Sequence, residues 1–144
     1  MRPYLLLTPG PLTTSETVKE AMMSDWCTWD EDYNVGIVEV IRKELVELAS
    51  SQPEDYTAVL MQGSGSFCGE ATLGSVIRPE DNLLVAANGS YGKRMGVIAD
   101  YYHLNYHVMK FDETQAVDPE AIDNYLDMHP EVTHVSVVHC ETTT

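Results

Sequence analysis

The stretch 82-NLLVAANGSYGKRMGVIADYYHLNYHVMKF-111 changes character three times in thirty residues. It opens on a short, almost wholly apolar run, Asn82–Ala87, breaks at Asn88-Gly89-Ser90, continues at helical spacing to about Tyr101, and closes on a second run, Tyr106–Phe111. A short apolar run bounded by turn residues reads as a strand covered on both faces, and a helix between two such strands predicts that they lie parallel. The same alternation extends outward. It predicts a strand over 57–61, a helix over about 66–76, a helix over 119–128 and a strand over 133–138. Four strands separated by helices place the chain in the α/β class, as a mainly parallel sheet with helices on both faces.

Toward the N-terminus, Val35, Val38, Ile41, Leu45 and Leu48 recur at helical spacing, with Glu39, Lys43 and Glu47 on the opposite side and Glu39–Lys43 as an i,i+4 pair. Before it, Thr13, Thr14 and Ser15 offer a cap for a short helix to Met23, and Glu16 suits its first turn.

Eight basic residues against 23 acidic ones give a formal charge of −15, which excludes the clustered Lys and Arg of a nucleic-acid surface. No apolar run approaches the roughly 18 residues needed to cross a bilayer, and Leu5–Leu7 is too short for a signal-peptide core. Three widely spaced cysteines, 27, 68 and 140, fit a reducing compartment, so a cytoplasmic protein with no membrane partner is expected.

In open parallel sheets ligands gather beyond the carboxyl ends of the strands. Four segments fall there: 62–66, 88–92, 112–114 and 139–144. Gly63-Ser64-Gly65-Ser66 follows a predicted strand and opens a helix, so unpaired N–H groups, the positive helix end and two hydroxyls could converge on a phosphate. The same residues also suit a tight turn with a serine cap. The glycines at 63, 65 and 69 miss the dinucleotide spacing by one and the ATP-loop lysine is missing, so a smaller phosphorylated molecule is the better ligand. Tyr91, between Gly89 and Gly92, is either a stacking platform or a packing residue. Lys93 and Arg94 sit where cations oppose the helix dipole, which suggests service to a ligand or partner. His139-Cys140-Glu141 alternate direction on an extended chain and make a poor metal cage, so no metal is expected; the threonines after them read as donors to a ligand or as strand-end caps.

Taken together, 5-LLLTPGPLTTSETVKEAM-22, 27-CTWDEDYN-34, 61-MQGSGSF-67, 88-NGSYGKRM-95 and 139-HCETTT-144 resemble the pyridoxal-phosphate-dependent 2-aminoethylphosphonate:pyruvate aminotransferases. The resemblance implies the N-terminal part of a fold-type-I large domain: an extended segment 1–12 bordering the active site, then a partial cofactor-binding domain 13–144 that stops at a strand end. It implies pyridoxal 5′-phosphate as cofactor, with Ser64, Gly65 and Ser66 on its phosphate, Tyr91 stacked on its ring and Thr142 near the ring hydroxyl. Thr8, Pro9 and Gly10 would border the substrate. The implied substrates are 2-aminoethylphosphonate and pyruvate, and the implied assembly is a homodimer. The lysines are 19, 43, 93 and 110, and none matches the family's Schiff-base lysine; its aspartate is missing too. No catalytic residue is therefore expected within this chain. A transaminase of the alanine– or serine–glyoxylate type and a non-catalytic phosphate-binding module are the alternative readings.

Overall fold

Strand β1 (Asn82–Ala87) is the best-buried element: Leu83 through Ala87 are each no more than 2% exposed. The computed structural model describes residues 4–8 and 10–143 and forms two compact units, 1–62 and 63–144. In the second unit β1 is flanked on one side by β2 (Asn105–Lys110) and on the other by β3 (His134–Val137), both parallel to it. The order is β2-β1-β3, with Leu84 opposite His107 on one side and Val135 on the other.

Helices α4 (Gly65–Val76), α5 (Ser90–Tyr101) and α6 (Pro119–Met128) alternate with these strands. Leu83, Val85 and Ala87 share one face and pack with Leu73 and Ile77 from α4 and its end, and with Ile98 and Ala99 from α5. On the opposite face, which carries Leu84, Tyr125 of α6 stacks on His107 with ring centroids 5.3 Å apart. Helices thus cover both faces, as continuous apolar strands require. Asp118 begins α6, its carboxylate accepting from Glu120 N–H at 3.0 Å, and Pro119 follows at the first helical position, where its missing N–H costs nothing.

In the first unit, α1 (Glu16–Ala21) is capped by Ser15, whose hydroxyl accepts from Val18 N–H. Next come α2 (Glu31–Tyr33), a π-helical stretch Asn34–Glu39 and α3 (Val40–Ala49). Val35-Gly36-Ile37-Val38 holds three β-branched residues and a glycine, weak formers of a regular helix, and there the single predicted helix widens. The predicted Glu39–Lys43 pair does not form. Glu39 takes Arg42 at 2.6 Å, and Lys43 lies 3.8 Å from Glu47.

The strand predicted over 57–61 is not a strand. Residues 57–61 pair with no neighbouring strand, and Arg42 reaches across instead, donating to the Ala58 carbonyl at 2.8 Å and the Thr57 hydroxyl at 2.8 Å. Val59 remains 74% exposed, so the apolar run lacks the covering that would make it a buried strand. No helix of the described residues is long and apolar enough to cross a membrane.

Candidate functional site

β1 sends its chain toward β2 on one side while β3 arrives on the other, so the strand order reverses at the carboxyl end of β1. Connections diverging from such a point leave a crevice there. Residues 88–90 and 138–143 meet at this end. Asn88 donates from Nδ2 to the Gln115 carbonyl at 3.2 Å, while its buried Oδ1 has no partner among the described residues, a buried acceptor left for a donor.

The first turn of α5 has no cap of its own, because Gly89 precedes it. Glu141 supplies one from fifty residues away. Its Oε2 accepts from Tyr91 N–H at 3.0 Å and Gly92 N–H at 3.1 Å; its Oε1 accepts from the Thr143 hydroxyl at 2.5 Å, and Thr143 Oγ1 accepts from Ser90 N–H at 3.0 Å. A Cβ on Gly89 would stand 2.3 Å from Glu141 Cγ, so only glycine lets the carboxylate approach. Desolvation at the strand ends pushes the Glu141 carboxyl upward, but the Thr143 hydroxyl and the amides of Gly92, Thr143 and Tyr91 outweigh it and hold the group below its ordinary value. A depressed folded-state value means stability that is present above the unfolded-state value and fades as pH falls through the folded one. Glu141→Gln should therefore cost about 1 kcal/mol at neutral pH, the scale of one hydrogen bond to a charged group in a half-exposed setting. Urea unfolding of both proteins should show that difference shrinking below pH 4.5, the ordinary glutamate value.

Helix α4 begins differently. Gly63 has φ +158°, and a Cβ there would lie 2.6 Å from the Phe67 ring. Ser64 caps the helix, its hydroxyl oxygen accepting from Phe67 N–H at 3.2 Å. Gly65 and Ser66 open the helix, so their N–H groups have no intrahelical acceptor, and the space where a Gly65 Cβ would sit is open. Arg94 joins this turn to α5: it donates from Nη1 to Ser66 Oγ at 2.6 Å, and its guanidinium carbon lies 5.3 Å from the centroid of the Tyr91 ring.

The structure thus brings Ser64, Gly65, Ser66 and Tyr91 together around Arg94. Thr142 lies between Glu141 and Thr143, both of which bond the start of α5, and so belongs to the same end of the sheet. Thr8 and Gly10 belong to the first unit, where the Thr8 hydroxyl donates to the Pro11 carbonyl and the loop is closed by Leu6 and Thr13, whose backbones bond at 3.0 Å. Pro9 lies outside the described residues. Sequence reasoning missed Glu141 as a helix cap and Arg94 as the bridge. The signal for the first was a helix opening on Gly89 with two cations in its first turn, a start that calls for an acid from elsewhere.

Other candidates carry less chemistry. Lys93 is held at 2.6 Å by Glu113, and Asp112 is engaged by its own turn, with the Thr114 hydroxyl and then the Thr114 amide holding its carboxyl below the ordinary value. A cavity of about 390 Å³ in the first unit is lined by Glu39, Arg42 and Tyr56, but Arg42 is already committed to Glu39, Thr57 and Ala58. No group of three or more His, Cys, Asp or Glu stands together as a metal site among the described residues.

No family model matches the chain. All 144 residues align at 66% identity with a 2-aminoethylphosphonate–pyruvate transaminase of Phocaeicola vulgatus, of which they cover 40%. The solved ureidoglycine–glyoxylate aminotransferase of Bacillus subtilis superposes with a TM-score of 0.84 at 28% identity, over 100% of this chain and 37% of that one. The pyridoxamine–pyruvate aminotransferase of Mesorhizobium loti gives 0.77 at 27% identity, over 99% and 36%. The chain therefore spans about two fifths of the length of the curated relatives it matches. Along its whole length it is similar to the 2-aminoethylphosphonate–pyruvate transaminases, as its motifs indicated, and its parallel sheet with flanking helices has the fold of these aminotransferases.

Proposed function

We propose that this chain forms the phosphate-holding and ring-stacking part of a pyridoxal 5′-phosphate site, in an aminotransferase that moves the amino group of 2-aminoethylphosphonate to pyruvate. The products are phosphonoacetaldehyde and alanine. The observation that carries the reading is a contrast between two helix starts. That of α5 is already filled by the Glu141 carboxylate, whereas that of α4 offers the Gly65 and Ser66 amides, two hydroxyls and a nearby guanidinium. That donor set suits a phosphate.

Ser64, Gly65 and Ser66 would hold the phosphate. Tyr91, 38% exposed, would lie against the pyridine ring, and Thr142 would meet the ring hydroxyl. When bound, the cofactor supplies the electron sink that amino transfer needs. This chain's residues bind and orient: the amides of Gly65 and Ser66 fix the anion, and Tyr91 fixes the plane of the ring. Thr8, Pro9 and Gly10 are assigned to the border of the substrate site. The lysine and the acid that handle protons are assigned to residues other than those of this chain, since Lys93 is paired with Glu113. A cytoplasmic homodimer completes the reading.

The test is titration of the protein with pyridoxamine 5′-phosphate and with pyridoxamine, neither of which needs a lysine to bind, followed by ligand fluorescence. The phosphorylated ligand should bind about a hundredfold tighter, the equivalent of roughly 3 kcal/mol. Tyr91→Ala should weaken both ligands, by up to about tenfold, because stacking on an aromatic ring contributes roughly 0.5–1.5 kcal/mol. Equal binding of the two ligands, or binding of neither, would overturn the assignment. Alanine formation from 2-aminoethylphosphonate and pyruvate is the assay for the whole protein.

A further inference from the structure

We infer that Arg94 is a positioning residue for the phosphate, acting through the Ser66 hydroxyl; the inference rests on the reading of residues 64–66 as the phosphate turn. An arginine side chain has donors only. Its Nη1 lies 2.6 Å from Ser66 Oγ, so the serine oxygen must accept, and the one proton of that hydroxyl is left to point elsewhere. Ser64 is arranged alike, its oxygen accepting from Phe67 N–H. Both hydroxyls are thereby set as donors toward an acceptor beyond the helix start, the polarity that an acceptor-rich phosphate requires.

The placement of Arg94 supports a role outside its own helix. It sits in the first turns of α5, where a cation opposes the helix dipole. Within α5 it meets the face of Tyr91, one turn earlier, 5.3 Å from guanidinium carbon to ring centroid, while its hydrogen bond goes to Ser66 of another helix. The planar guanidinium bonds the hydroxyl at one end and rests near the ring, so the phosphate turn and the ring platform are held in one register by a single side chain. Lysine, a point charge on a flexible stem, would keep the charge and lose that register.

The experiment is a double-mutant cycle between Arg94→Met and Ser66→Ala, read as dissociation constants for pyridoxamine 5′-phosphate and for pyridoxamine. Arg94→Met should weaken the phosphorylated ligand about tenfold and pyridoxamine less than twofold. In the Ser66→Ala background the same change should cost less than threefold. Arg94→Lys should fall between wild type and Arg94→Met, and it carries the test should Arg94→Met lose its far-ultraviolet circular dichroism. Equal weakening of both ligands would make Arg94 a structural residue only. No weakening, or a full tenfold loss persisting without the Ser66 hydroxyl, would also overturn the inference while leaving the phosphate site standing. Failure of the wild-type protein to prefer the phosphorylated ligand is the separate result that removes the site itself.

Discussion

Gly92→Ala should destabilise the second unit by about 1–3 kcal/mol, the cost of forcing an extra methyl into a packed interior. A Cβ on Gly92 would stand 2.9 Å from Ala87 Cα and 3.0 Å from Ala87 Cβ, so the clash is with the backbone of β1, which cannot step aside as a flexible side chain would. Helix propensity acts the other way, since alanine is better than glycine inside a helix by roughly 1 kcal/mol. The clash wins because helix and strand touch at this point: Gly92 and Ala87 are both buried. Gly36 is the control. A Cβ there meets nothing within 4 Å, so Gly36→Ala should leave stability unchanged or slightly raised. Chemical denaturation of both variants checks the pair, and equal behaviour of the two would refute the claim that α5 is pinned to β1 through Gly92. Movement of α5 would also carry Tyr91 and its amide away from Glu141, so ligand affinity should fall with stability in Gly92→Ala.

The second large effect concerns binding. Ser64→Ala combined with Ser66→Ala should lower affinity for pyridoxamine 5′-phosphate about a hundredfold or more, because each lost hydroxyl donor to a charged group contributes roughly 1.5–3 kcal/mol. Pyridoxamine separates this from general damage, since it lacks the phosphate and should lose little. Ser64 carries a second duty as the cap of α4, and its removal should cost about 1 kcal/mol of stability besides. Ser66 caps no helix and loses only the exposed hydrogen bond from Arg94, so Ser66→Ala alone should weaken the phosphorylated ligand with a smaller change in unfolding midpoint than Ser64→Ala. Retention of full affinity in the double variant would return residues 63–66 to the role of a plain turn.

The parts of the fold legible in the sequence were those decided by neighbours in the chain. Asn82–Ala87 is a strand because its apolar residues are continuous, and α4 starts at Gly65 because Ser64 can cap it. The predicted bounds of α5 and α6 differ from the observed ones by at most one residue for the same reason. What escaped depended on distant partners. Residues 57–61 carry the residues of a strand, but a strand needs a ladder beside it, and there Arg42 binds the backbone instead. Glu141 looked like one more polar residue after a strand because its partners, Tyr91 and Gly92, are fifty and forty-nine positions earlier. The turn that opens α4 was readable from 63–66 alone; Arg94, twenty-eight residues away from Ser66, was readable only as a cation out of place.

The Glu141 contact also sets an order of events during synthesis. All of α5 has been made once residue 101 is added, yet the carboxylate that satisfies its first amides arrives forty residues later, some 2–8 s at roughly 5–20 residues per second. Glu113 can take Lys93 early in that interval, but Arg94 stays a cation at the wrong pole and the first amides of the helix stay without their carboxylate until Glu141 is made. The Tyr91 amide therefore gains its acceptor only when the segment after β3 folds back, so a later-translated stretch completes the start of an earlier-translated helix.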